Sequence, residues 1–268
     1  MRKLLTTFII AGLLIANPGN AFAAAQAKVF NIEKTNVGVL TVNYQQTADK
    51  VNKLLVEKDG VRYTYDLQKT GATQNFPLQL GDGQYTVRLA ELVDGTKYKE
   101  VAREVVTVKL TDAKAPYLQA VQEINWNANN QAVKLAADLV KGLNNDFDKV
   151  NAIYTYVINN IDYDYAKAAT VKTGYLPNID QTLTEQKGIC YDYAALVAAM
   201  LRSQGIPAKL VKGYAPNIDG YHAWNEVYVA EQDRWITIDT VYDAIAAEKN
   251  NKPVIEKDKK LFTVTEEI

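Results

Sequence analysis

The chain has almost no sulfur or imidazole chemistry to choose from: one cysteine and one histidine in 268 residues. A single cysteine excludes an internal disulfide framework, so the protein must be held together by its core. One cysteine and one histidine cannot make a usual zinc set without two carboxylates, so neither a metal nor a cofactor is expected. Charge of one sign is also missing. Thirty basic residues stand against 31 acidic ones, with a formal net charge of −1. A nucleic-acid partner would need a basic face, and none is expected. Long apolar runs are absent beyond the first residues. Leu4 to Ala16 is apolar except at Thr6, Thr7 and Gly12, which is shorter than the roughly 20 residues a membrane span needs.

What is present at the start reads as a secretory leader. Arg2 and Lys3 precede the apolar run, Pro18 and Gly19 end it, and Ala21-Phe22-Ala23 offers a small-x-small cleavage site. Cleavage after Ala23 is expected, giving a mature chain from Ala24 without a transmembrane anchor, secreted or held in the cell envelope. Its net charge moves from −1 to −3 with the loss of Arg2 and Lys3. A lone thiol in an exported protein reads as reactive rather than structural.

From Ala27 to about Leu110 the pattern has period two. Val61, Tyr63, Tyr65 and Leu67 alternate with polar residues, as do Tyr85, Val87 and Leu89, and Leu40, Val42 and Tyr44 make a third face. Asp59-Gly60, Asp82-Gly83 and Asp94-Gly95 mark turns. About seven short strands fit an antiparallel β-sandwich of immunoglobulin or fibronectin type over residues 24–112. No cluster of catalytic residue types falls within it, so it reads as a spacer or binding module. Residues 111–116 form a boundary.

Helical spacing follows. Val133, Ala136, Ala137, Val140 and Leu143 form one stripe, and Phe147, Val150, Ile153, Tyr154, Val157 and Ile161 another. Asp146 or Asp148 is the expected cap of the second helix. Ile189 to Ser203 is apolar nearly all round and reads as a buried helix ended at Gly205 and Pro207. Strands are expected over 208–214, 222–229, 235–239 and 261–264. Residues 117–268 are thus helices followed by an antiparallel sheet, an α+β unit.

Cys190 opens that buried helix in Lys187-Gly188-Ile189-Cys190-Tyr191-Asp192-Tyr193-Ala194. His222 opens a strand in Gly220-Tyr221-His222-Ala223-Trp224-Asn225-Glu226-Val227. Asp239 ends the next in Trp235-Ile236-Thr237-Ile238-Asp239-Thr240. Thiol, imidazole and carboxylate in that order are the parts of a nucleophilic cysteine site. The free N–H groups of a first helical turn can bind an oxyanion, and Gly188 leaves room for a substrate carbonyl. His222 would carry the proton and Asp239 hold the ring, provided the hairpin register puts both on one face. Tyr191, Tyr221 and Trp224, with Tyr193 and Tyr214, cluster around these motifs. They read either as core or as the lining of a groove for peptide or glycan.

Residues 182–239 resemble the transglutaminase-like superfamily of papain-like cysteine enzymes. The resemblance is carried by Gly188 to Ala194, by Leu201 through Gly205-Ile206-Pro207-Ala208, by His222 to Val227, and by Trp235 to Thr240. It implies a papain-like core and a catalytic Cys190-His222-Asp239 triad. It also implies acyl transfer through a thioester on a protein or peptide, for a secreted bacterial enzyme a cell-wall peptide included. Members resembling it include cross-linkers, peptidases, amidases and proteins without activity. No counterpart of the oxyanion-assisting tryptophan of animal cross-linking enzymes precedes Cys190, and no Asp-x-Asp-x-Asp-Gly loop occurs. The expectation is therefore a peptidase or amidase slightly ahead of a cross-linker. A binding or scaffold protein that keeps the fold without catalysis is the alternative.

Overall fold

A computed structural model of the chain describes residues 29–44, 51–69, 73–216 and 218–268. The expected leader, residues 1–23, lies outside them.

The N-terminal strands form two antiparallel sheets. β1 (Phe30–Asn31), β2 (Val39–Val42) and β5 (Gln74–Pro77) lie in the order β1-β2-β5. β3 (Asn52–Lys58), β4 (Val61–Asp66), β6 (Gly83–Asp94) and β7 (Lys97–Val108) lie in the order β4-β3-β6-β7. The period-two pattern explains the layering. Leu54 and Val56 of β3 and Tyr85, Val87 and Leu89 of β6 point to one side and meet Leu40, Val42 and Phe76 in a common core. Asp59 and Gly60 both adopt positive φ, 50° and 82°, so the β3–β4 connection has the handedness that a tight hairpin requires. Tyr85 donates its hydroxyl to the carbonyl of Gly81 at 2.8 Å, closing the corner before β6.

The second core is built around one helix. We number the helices α1 (Gln131–Leu139), α2 (Asp146–Asn160), α3 (Tyr165–Thr170), α4 (Ile179–Glu185), α5 (Cys190–Ser203) and α6 (Thr240–Glu248). Every residue of α5 from Asp192 to Arg202 is buried. That follows from its all-round apolar sequence, since α5 is enclosed by α1, α2, α4 and α6 and by the sheet. The sheet is antiparallel, in the order β12-β11-β10-β13, from β10 (Ala208–Tyr214), β11 (His222–Val229), β12 (Arg234–Ile238) and β13 (Thr263–Glu267). A two-residue parallel pair, β8 (Asp162–Tyr163) with β9 (Lys187–Gly188), fixes the approach to α5. This is the α+β architecture with antiparallel sheets read from the sequence. Among the described residues no helix is long and apolar enough to cross a membrane.

Two local expectations are corrected. The cap of α2 is Asn145, whose side chain accepts from the Asp148 N–H at 2.8 Å; Asp146 and Asp148 instead occupy the first turn, where their charge faces the positive helix end. The last strand starts two residues later than expected, at Thr263. β13 lies so close to β10 that a Cβ on Gly213 would fall 2.0 Å from the Thr263 carbonyl oxygen.

The N-terminal sheets press against the helical unit. Gln79 donates to the Glu267 carbonyl at 3.0 Å, and the Gln122 N–H donates to the Asn75 carbonyl at 2.8 Å. Val39, from β2, is part of the helical core. These contacts set β4 facing the start of α5.

Candidate active site

Cys190 is the first residue of α5 and the only free thiol, partly exposed. Its position is held by Asp192, two residues on and fully buried. One Asp192 oxygen accepts from the Ile189 N–H at 2.9 Å and from the Lys167 ammonium at 2.6 Å; the other accepts from the Tyr175 hydroxyl at 2.5 Å. A carboxylate at the third helical position that reaches back to the N–H before the helix is a capping device. Here it also ties α5 to α3 and to the 171–176 loop. Lys167 answers in kind: burial would lower its pKa, but the bonds to Asp192 and Tyr175 raise it above the ordinary lysine value.

Gly188 serves this packing rather than substrate access. A Cβ there would sit 2.7 Å from the Asp192 Cβ and 3.2 Å from a Thr182 methyl. The expectation that its small size leaves room for a carbonyl is therefore replaced by a structural reason.

His222 opens β11 and Asp239 follows β12. The register pairs Asn225 with Ile238, so residues 222 and 239 fall on the same face, one diagonal step apart. His222 Nε2 lies 2.8 Å from one Asp239 oxygen, and the other Asp239 oxygen accepts from the Tyr242 N–H at 3.0 Å. Asp239 is thereby the cap of α6 as well as the partner of the ring, with both oxygens engaged. His222 is 3% exposed. Burial alone would lower its pKa, but hydrogen bonds to Asp239 and to Cys190, and their negative charge, raise it from 6.5 to about 9. The imidazole is thus anchored to the Asp239 carboxylate.

That pKa has a measurable consequence. A histidine whose folded pKa is raised stabilises the fold fully below its unfolded value of 6.5, and this stabilisation is lost as pH rises through about 9. The gap corresponds to roughly 3 kcal/mol. Urea unfolding should show stability falling between pH 6.5 and 9 in the native protein, and His222→Gln should flatten that fall. Native stability that rises across the window would contradict the assignment.

Cys190 and His222 line a groove of about 500 Å³, and Asp239 holds the ring from outside that lining. Tyr191 and Tyr221 line it, as the sequence suggested. Trp224 does not. It is 1% exposed, packed between the His222 ring (centroids 6.2 Å apart, planes 22° apart) and Phe262 (5.0 Å). It backs the imidazole and is not available to substrate. Tyr193 is also buried, donating its hydroxyl to the Ile161 carbonyl, while Tyr214 stacks edge-on against Tyr221.

Several groove residues escaped the sequence reading. Lys212 bonds to Glu123 at 2.8 Å and lies 4.5 Å from the Tyr191 ring, and Tyr191 donates to the same Glu123 oxygen at 3.1 Å. Tyr175 forms part of the rim. Thr64, Tyr65 and Asp66 of β4 supply the opposite wall. Residues so far apart in sequence leave no local signal that they share a wall. Chemically, a thiol beside an anchored imidazole, at a first helical turn whose N–H groups have no intrahelical acceptor, can attack a carbonyl and steady the resulting oxyanion.

Residues 133–240 match the family model of the transglutaminase-like superfamily. The chain is 32% identical over 140 residues to the uncharacterized protein YebA of Bacillus subtilis, covering 46% of this chain and 18% of that one. It is 32% identical over 141 residues to the human kyphoscoliosis peptidase, covering 47% and 21%. The chain thus spans about a fifth of the length of these curated relatives. Among solved structures it is similar to a proposed cysteine protease from Cytophaga hutchinsonii, at 22% identity and a TM-score of 0.41, over 76% of this chain and 71% of that one.

Proposed function

Residues 133–240 are a transglutaminase-like core, and from that premise we propose that the chain is a cysteine-dependent acyl-transfer enzyme acting on amide bonds of proteins or cell-wall peptides. The observation that carries the proposal is the His222–Asp239 bond of 2.8 Å, with Cys190 and His222 lining the same open groove. In the first half-reaction the thiol proton already resides on His222, whose raised pKa keeps the ring charged below about 9, and the sulfur adds to the amide carbonyl, forming a C–S bond. The oxyanion faces the N–H groups of the first turn of α5. The C–N bond then breaks, the amine leaves with the proton from His222, and a thioester remains. In the second half-reaction His222 takes a proton from water or an amine, which adds to the thioester. Collapse breaks the C–S bond and leaves the proton on His222 beside the freed sulfur.

Hydrolysis is favoured over cross-linking. Dimethylated casein with dansylcadaverine measures both outcomes, as release of ammonia or new amino termini and as incorporated fluorescence. Product formation with hydrolysis ahead is expected. Fluorescence dominating would shift the reading to a cross-linker, and neither product with casein or with cell-wall peptides would sink it.

The same reading assigns residues 24–112 to an immunoglobulin- or fibronectin-like module and 117–268 to the catalytic unit. The strand orders β1-β2-β5 and β4-β3-β6-β7 and the Tyr85 corner support the first assignment. Two cores support the division, with Val39 of β2 and the neighbouring Val37 reaching into the helical one, and a cooperative melt of residues 117–268 alone would test it; a molten fragment would oppose it. Export to the envelope or beyond rests on the leader, and N-terminal sequencing of secreted protein should begin at Ala24.

A further inference from the structure

The wall of the groove facing Cys190 is a sheet edge. Among the described residues β4 pairs with β3 alone, leaving its other side free of any strand. The backbone shows which groups face outward. In an extended antiparallel strand, a residue's N–H and C=O share one side, and the side alternates from residue to residue. The Leu67 N–H donates to the Asn52 carbonyl at 2.9 Å, so residue 67 faces β3. The Asp66 carbonyl accepts from the Gln122 side-chain amide at 2.7 Å, so residue 66 faces away from β3. By the same alternation Thr64 also faces away. Thr64, Tyr65 and Asp66 line the same groove as Cys190 and His222. The Gln122 amide therefore already sits where the N–H of a further strand would bond, and the positions beside it remain open to a substrate.

We propose that the outer edge of β4 is the docking strand for an extended peptide substrate, whose backbone pairs with Thr64 and Asp66 and so carries an amide to Cys190. The inference rests on the proposed amide chemistry and narrows it. The substrate is an unfolded or flexible peptide segment, recognised through its main chain by strand addition. It also gives the N-terminal sheets a part in the site: β4 supplies one wall of the binding surface. The peptide's N–H groups would donate to the Thr64 carbonyl, and its carbonyls would accept from the Thr64 and Asp66 N–H groups.

Peptidyl chloromethyl ketones with one to four alanines test this, with Cys190 as the target. The sulfur displaces chloride and forms an S–C bond, and each rate is divided by that of iodoacetamide on the same variant. Lengthening the peptide should raise the normalised rate about tenfold, since each paired main-chain bond contributes a factor of a few. Methylating the peptide nitrogen that faces Thr64 should remove the gain. Thr64→Pro, which removes an outward-facing N–H and no ladder bond to β3, should do the same, whereas Thr64→Val should retain it. Rates independent of length, or an equal loss with Thr64→Val, would overturn the proposal. A second measurement needs no reactive thiol. In Cys190→Ala, N-acetyl-tetraalanine amide should slow hydrogen exchange at the Thr64 and Asp66 amides. Unchanged exchange there at saturating peptide, or protection by a chitin oligosaccharide instead, would overturn the docking strand whether or not the enzyme transfers acyl groups.

Discussion

Cys190→Ala is expected to reduce amide turnover by roughly 10⁴-fold or more while leaving the melting temperature within a few degrees of the native value. The change removes the sulfur that forms the thioester and leaves a small apolar residue at the first position of α5, where alanine is an excellent helix former. His222→Ala should cost nearly as much, because nucleophile and proton carrier act as a unit and their losses do not add. Asp239→Asn should cost less, about 10²-fold. Asparagine keeps one acceptor oxygen, but Asp239 uses both of its own, for His222 and for the Tyr242 N–H. The variant must therefore give up either the ring or the cap of α6, and the raised His222 pKa should fall with the lost charge. A full-rate Cys190→Ala protein would leave the site without its nucleophile.

The second large effect concerns a residue outside the groove. Asp192→Ala should lower stability by about 2–4 kcal/mol and slow turnover as well. Three donors lose their partner at once: the Ile189 N–H, the Tyr175 hydroxyl and the Lys167 ammonium. Lys167 keeps some water, its side chain being 27% exposed, which holds the cost below that of stranding a fully buried charge. The loss in rate follows from position: the N–H group released immediately precedes Cys190, so the thiol and the oxyanion-binding turn lose their shared anchor. Thermal unfolding together with kcat reads both effects. A shift of several degrees in Tm is expected; unchanged Tm and kcat would mean that the carboxylate only fills space.

Much of this site was legible because its chemistry is scarce. With one thiol and one imidazole, their contexts needed no sorting, and the apolar run after Cys190 marked a buried helix whose first turn must point at the site. Asp192 also carried a signal, an acid at the third position of a helix, though its partners Lys167 and Tyr175 lie on a helix of six residues and in a loop, too short for any periodicity to show. The register that aligns His222 with Asp239 depends on the turn at residues 230–233, and a one-residue slip would have opposed them. Trp224 stayed open between core and groove because an aromatic beside a strand histidine looks the same whether it faces substrate or core; its packing between the His222 ring and Phe262 decides it. The β4 wall was read only as part of a spacer or binding module because sheet edges are defined by pairing across the fold, and nothing in Thr64 or Asp66 themselves records it.

The most direct test of the central claim weighs the protein after brief exposure to an acyl p-nitrophenyl ester, whose fast-leaving group makes breakdown of the thioester the slow step. An acid quench should show one acyl mass added, located by peptide mapping at Cys190, released by hydroxylamine and absent from Cys190→Ala. An adduct on another residue, or ester turnover at the native rate in Cys190→Ala, would contradict the account.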